Sequence, residues 1–177
     1  IGRGGDSVAL DPAIVTDGES ARVCTAIYDT LVVLEGASTK PVPWLAESWT
    51  TEDSKVWDFK LRAGVKFHDG EPLTAQAVKW NFDRWQNPDN PFRYPSQKYE
   101  YWDTELSTLV DSTEVLDDLT FRITLKEATV LILPKLALFN FAIASPKAVE
   151  AQGESYATQA GTPVGTGRFK FESWVPN

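Results

Sequence analysis

Ser48-Trp49-Thr50, then Glu52-Asp53-Ser54-Lys55, then Val56-Trp57-Asp58-Phe59-Lys60-Leu61 is the stretch that decides the fold. Apolar and polar residues alternate on both sides of a short polar link. Period two is the repeat of a half-buried strand, so the segment reads as a β-hairpin with Trp57, Phe59 and Leu61 on one face. Arg62-Ala63-Gly64-Val65-Lys66-Phe67 is expected to continue it to a turn at His68-Asp69-Gly70-Glu71-Pro72. Beyond that turn the period changes. Thr74 stands as a helix cap, and Ala77, Val78, Trp80, Asn81, Phe82 and Trp85 recur at three and four.

Outward from this core the pattern is less regular. Upstream, Asp17-Gly18-Glu19-Ser20 reads as a turn entering a helix, with Ser20 the candidate cap. Val23, Ala26 and Ile27 follow at helical spacing, and Leu31-Val32-Val33-Leu34 reads as a buried strand. Residues 36–43, with Gly, Ser, Thr and two Pro, read as a loop. Downstream, residues 87–98 form a long irregular loop of the kind that often carries function. Strands are expected at 113–116 and 120–125 around Asp117-Asp118, a helix at 130–138, an apolar strand at 139–144 and a helix from Ser145-Pro146 to about Gln152. Residues 161–167 are a glycine loop, and 168–174 read as a final strand. Hairpins interspersed with helices give an α/β (mixed α+β) class.

The composition narrows the functional classes. The chain has 177 residues and a net charge of -8, and 12% of its residues are aromatic. An acidic chain offers no footprint for a phosphate backbone, so nucleic acid is not an expected partner. The lone Cys24 makes no internal disulfide and no thiolate metal site, and reads as a buried, inert thiol. The lone His68 beside Asp69 suggests a base with its carboxylate. No nucleophile motif accompanies it, and a turn histidine bonded to a backbone carbonyl is the plainer reading. Gly2-Arg3-Gly4-Gly5 and Gly165-Thr166-Gly167 lack the spacing and the Lys of phosphate loops, and read as turns. Seven acids between Tyr99 and Phe121, with no base among them, read as a solvated face rather than a calcium site. Of the rings Trp80, Phe82, Trp85, Phe92, Tyr94, Tyr99, Tyr101 and Trp102, most are expected in the core, with one or two of the loop rings walling a pocket. No apolar run reaches the length of a membrane span. A chain with neither a starting Met nor a leader peptide is expected to be a processed protein or a piece of one.

Leu45-Ala46-Glu47-Ser48-Trp49 followed by Trp57-Asp58-Phe59-Lys60-Leu61-Arg62-Ala63-Gly64-Val65-Lys66-Phe67-His68-Asp69-Gly70 resembles the family 5 extracellular solute-binding proteins of ABC importers. Leu10-Asp11-Pro12, Ile27-Tyr28-Asp29-Thr30-Leu31-Val32, Thr74-Ala75, Phe82-Asp83 and Pro163-Val164-Gly165-Thr166-Gly167 stand in family order, so the resemblance covers essentially the whole chain. The 87–101 segment is most similar to the dipeptide-binding branch.

The resemblance implies part of lobe I of a periplasmic-binding-protein-like, two-lobed fold, corresponding to the N-terminal third of a family member. Residues 1–35 and 162–177 would form a partial core subdomain, and 36–161 an inserted α/β subdomain. It implies a non-enzymatic, extracytoplasmic receptor piece (periplasmic, or a cell-surface lipoprotein) that takes a peptide or similar small solute to a membrane permease, with no cofactor. It also implies a ligand wall. Thr16-Asp17-Gly18 would approach the ligand main chain, Phe139-Asn140-Phe141 would lie near the same cleft, and Tyr101 or Trp102 would close one side. The competing reading makes Asp17-Gly18 a plain helix-entry turn and gives Asn140 to local backbone. Oligosaccharides and nickel chelates are alternative ligands within the family. The rival class is a carbohydrate-binding or carbohydrate-active protein, which as a glycosidase would need two carboxylates about 5–10 Å apart across a groove.

Overall fold

Strand β4, Val56–Leu61, alternates buried and half-exposed residues along its whole length, with Trp57, Phe59 and Leu61 inward. In the computed structural model, which describes residues 4–175, it lies inside a four-stranded antiparallel sheet. The strands are β3 (Ala46–Thr50), β4, β5 (Val110–Asp117) and β6 (Thr120–Leu125), in the order β3-β4-β6-β5. The β3–β4 hairpin forms as expected, with Trp49 opposite Phe59. Trp57 pairs with Ile123 and Phe59 with Phe121, so two inward rows meet. β5 begins earlier than expected, and its turn to β6 is Asp118-Leu119. The outer face is polar, and the Arg122 guanidinium grips Asp58 with two bonds of 2.7 and 2.8 Å.

One helix covers the inner face. Helix α2, Ala75–Gln86, is capped by the Thr74 hydroxyl, which accepts from Ala77 N at 3.1 Å. It lies over β5 and β6 rather than directly over β4. Phe82 meets Phe121 at 5.0 Å between ring centroids, Trp85 at 4.9 Å and Trp102 edge-on at 6.1 Å, a tilted aromatic cluster. Asn81, buried on the same helix, donates to Ala144 O and accepts from Ala144 N, tying α2 to the chain before the last helix.

The chain before the sheet carries helix α1, Gly18–Ile27. Its cap is Asp17, which accepts from Ser20 N at 2.8 Å, and not Ser20. The Ser20 hydroxyl instead accepts from Val8 N. A two-stranded ribbon follows, β1 (Val32–Leu34) with β2 (Pro41–Pro43). The expected loop thus ends in a strand, and β1 is shorter than the apolar run suggested, with Leu34 exposed. Further on come a π-helical turn at Trp102–Leu106, α3 (Ile132–Leu136) and α4 (Pro146–Gln152), the last capped by Ser145. Backbone bonds join distant parts of the chain: Leu10 N to Ala157 O (2.7 Å), Ile143 N to Asp29 O (2.9 Å) and Gly167 N to Ile27 O (2.8 Å).

Three expected strand segments are corrected. The 62–67 stretch leaves the sheet after Arg62 N bonds Leu45 O, turns through a left-handed Gly64 (φ +78°) and folds back on residues 71–73, with an isolated bridge from Lys66 to Pro72. Phe139–Phe141 is a 3₁₀ turn, because Asn140 must turn inward to reach Pro12 and Val15. Residues 168–174 form no strand: Phe169 N bonds Ala26 O, but no ladder builds on it, and the Phe169 ring stands in solvent.

Candidate functional site

Asp17 and its neighbours are placed by the helix they open. The Asp17 carboxylate caps α1; partial burial pushes its pKa up, and the bonds from Ser20 more than offset this, so it stays below the ordinary aspartate value. Thr16 and Gly18 are exposed on either side of it. Gly18 does not need left-handed backbone, and a Cβ built on it meets nothing within 4 Å. The surface before this turn is therefore open.

The expected partners of that turn divide into two groups. Asn140 is buried at 1% exposure and donates to Val15 O at 2.7 Å and to Pro12 O at 3.1 Å, which brings the 139–141 turn against residues 12–18. Phe139 is half-buried and meets the Tyr101 ring at a 57° tilt, 6.3 Å between centroids. Tyr101 and Phe139 thus form a half-buried aromatic surface beside the 139–141 turn, and the buried Asn140 ties that turn to residues 12–15. Trp102 and Phe141 face the other way. Trp102 is buried against Phe82 and Trp85, and Phe141 packs on Trp85 at 5.7 Å, so both rings belong to the core.

Beside this surface lies a largely apolar cavity of about 410 Å³ between the end of α1, the β1–β2 ribbon and the 137–142 segment. Phe139 forms part of its wall, with Cys24, Val33, Trp44 and Phe169. Its carboxylate, Asp29, is spoken for: Oδ1 accepts from Trp44 Nε1 at 2.7 Å and Oδ2 from Thr166 Oγ1 at 2.8 Å. In the sequence Asp29 stands only within the run 27–32, and nothing marks Trp44 as its partner. A lone Trp behind two prolines gives no hint that its indole N–H will find a carboxylate fifteen residues earlier.

The other candidates settle into structural roles. His68 Nε2 donates to Gly167 O at 2.8 Å, and Asp69 accepts from Ser145 Oγ and Glu71 N instead of orienting the imidazole. A Cβ on Gly165 would stand 2.3 Å from Ile27 O, and one on Gly167 2.6 Å from Ala26 O, so these glycines permit two backbones to touch. Gly2 and Arg3 lie outside the described residues. The expected acidic face is there, with Asp103 bonded to Arg93, Glu105 to Lys135 and Asp117 to Lys60. Cys24 is buried, and burial with nearby Asp11 and Asp17 drives its thiol pKa far above the ordinary range. Tyr28 and Tyr156 share a buried hydroxyl contact of 2.9 Å, and burial raises both phenols. Among the described residues, Asp11 is the one buried carboxylate, locked to Arg84 at 2.6 Å, and no three His, Cys, Asp or Glu side chains converge as a metal site. No described helix is long and apolar enough to cross a membrane.

Comparison with known proteins places this architecture. The glutathione-binding protein GsiB of Pectobacterium atrosepticum is 35% identical over 97% of this chain and 31% of its own length. The di/tripeptide-binding protein 1 of Pseudomonas aeruginosa is 31% identical over 96% of this chain and 34% of its own. The chain therefore spans about a third of the length of these relatives. Among solved structures, the periplasmic binding protein DppA of Helicobacter pylori in complex with the peptide STSA superposes with a TM-score of 0.88. Its identity is 34%, over 98% of this chain and 36% of that one. Residues 40–177 match the profile described as bacterial extracellular solute-binding proteins, family 5 middle, and the chain belongs to that family.

Proposed function

We propose that this chain is one wall of the ligand cleft of an ABC-importer receptor, and that its solute is a peptide or a peptide-like molecule. The observation that carries the reading is the superposition, across almost the whole chain, on a family member holding a peptide. The relatives' names, for glutathione and di/tripeptides, point to the same chemistry. In this reading the ligand-facing surface is the Thr16–Gly18 turn, with open space at Gly18, together with the Tyr101–Phe139 pair. Backbone groups there would satisfy a peptide main chain while leaving its side chains free. Residues before 36 and after 161 form the core piece in this reading, and the intervening ones the inserted subdomain. Family membership supports delivery to a membrane permease and an extracytoplasmic location.

Titration of the chain with trialanine, followed by amide NMR, tests this. One wall leaves a ligand half solvated, so the affinity is expected to be weak, on the order of millimolar. The moving resonances are expected at Thr16 and Gly18. Gly18→Val should abolish those shifts without unfolding the chain, since the added atoms enter open space. Shifts confined to the polar outer face of the sheet would refute this placement of the site.

A further inference from the structure

The 11–15 turn is not part of any sheet, yet it stands directly before the exposed Thr16–Gly18 segment. Its internal backbone link is a long bond, Ile14 N to Asp11 O at 3.2 Å. Pro12 has no N–H to add another. What shapes the turn comes from elsewhere in the chain. Asn140 donates one amide hydrogen to Pro12 O and the other to Val15 O, drawing two carbonyls three residues apart to one point. Within the turn Asp11 accepts from Ala13 N with Oδ1, and its Oδ2 accepts from Arg84 Nη2. Arg84 Nε donates in turn to Phe92 O, at 2.8 Å, in the 87–98 loop. Asp11, Arg84 and Asn140 are each 1% exposed.

We propose that Asn140 is a positioning residue for the ligand-facing turn: its buried carboxamide holds Pro12 and Val15 so that Thr16, Asp17 and Gly18 present a fixed backbone to the solute. Both of its amide hydrogens are spent on the chain itself, so it does not donate to a ligand. Only Thr16 separates the anchored Val15 carbonyl from the Asp17 cap, so freedom gained at Val15 passes directly into the ligand face. Arg84 grips the same turn from α2 and connects it to the 92 position. This inference rests on the proposed function for its ligand half, and on geometry alone for the holding of the turn.

Asn140→Leu keeps the volume and removes both donors. Two measurements on the 177-residue chain test it: hydrogen exchange by mass spectrometry, and NMR titration with trialanine. We expect exchange in 11–18 to quicken at least tenfold while the sheet segment 110–125 keeps its wild-type rate, and the apparent trialanine Kd at Gly18 to rise at least threefold. Unchanged exchange at 11–18, or an equal rise in both segments, overturns the positioning role. Local opening with an unaltered Kd overturns its link to the ligand. A wild-type chain whose Thr16 and Gly18 resonances ignore trialanine refutes the proposed site and the ligand half together, and exchange then still decides whether Asn140 holds the turn. Should Asn140→Leu fail to fold, Asn140→Ala removes the same donors without bulk and is read in the same way.

Discussion

Replacing Trp57 with Ala removes the largest inward ring of β4. The side chain is 3% exposed, and its indole N–H donates to Ser54 O at 3.0 Å. Ser54 carries a left-handed backbone (φ +58°) at the tip of the β3–β4 hairpin, so the indole also pins a strained residue. A buried Trp hides about 150–250 Å². At about 25 cal/mol per Å² this is worth roughly 4–6 kcal/mol as an upper bound. Alanine regains little of it, and aromatic-to-alanine changes in cores cost about 3–5 kcal/mol. With a urea m-value of about 3 kcal/mol/M, a loss of roughly 4 kcal/mol lowers the unfolding midpoint by about 1.3 M. Far-UV circular dichroism is the suitable probe, since fluorescence loses a reporter with the ring. Trp57→Phe should shift the midpoint by less than half as much. A midpoint within about 0.3 M of wild type for Trp57→Ala would show that this face is not the packed one.

Three further outcomes follow from named contacts. Asp17→Ala should cost about 1 kcal/mol near neutral pH through loss of the α1 cap. Because the folded-state carboxyl titrates below its unfolded value, the cap's contribution is complete above about pH 4 and disappears as the pH falls further, so wild-type and variant melting curves should converge in acid. Cys24 should resist a thiol reagent at about pH 8 in the folded chain and react stoichiometrically in denaturant, since burial holds it as the unreactive thiol; rapid native labelling would contradict its packing. Gly165→Ala should lower stability by about 1–3 kcal/mol, because its Cβ would meet Ile27 O and backbone has to move. An unchanged thermal midpoint would refute that close approach.

The parts of the fold legible in the sequence are those whose pattern is local. Alternation from Val56 to Leu61 gave β4 and its face, and Thr74 ahead of a three-four repeat gave α2 and its cap. The errors arise where a distant partner decides. Pro41-Val42-Pro43 looks like loop, yet it pairs as an edge with β1, where Val42 opposite Val33 carries the register and the prolines sit at the ends. Phe139 to Ala144 looks like an apolar strand, but Asn140 turns inward to carbonyls more than 120 residues earlier. Tyr101 and Trp102 are neighbours with equal claims on a pocket, and only Phe82 and Trp85 decide that Trp102 is the buried one. Arg168 to Trp174 shows the converse: Phe169 and Phe171 alternate as a strand would, and no ladder among the described residues receives them.

The backbone bonds that join residues 10–29 to residues 143–167 also set an order of folding. The β3–β4 and β5–β6 hairpins close through neighbours and can form as soon as they are made. Helix α1 has no such option. Its last turn waits for Gly167, the 11–15 turn for Asn140, and Leu10 for Ala157. At a synthesis rate of about 5–20 residues per second, the last turn of α1 waits roughly 7–28 s for Gly167 after it has been made. Made well before its partners, α1 is thus among the last elements to be secured, and during that interval it is open to a chaperone or a protease.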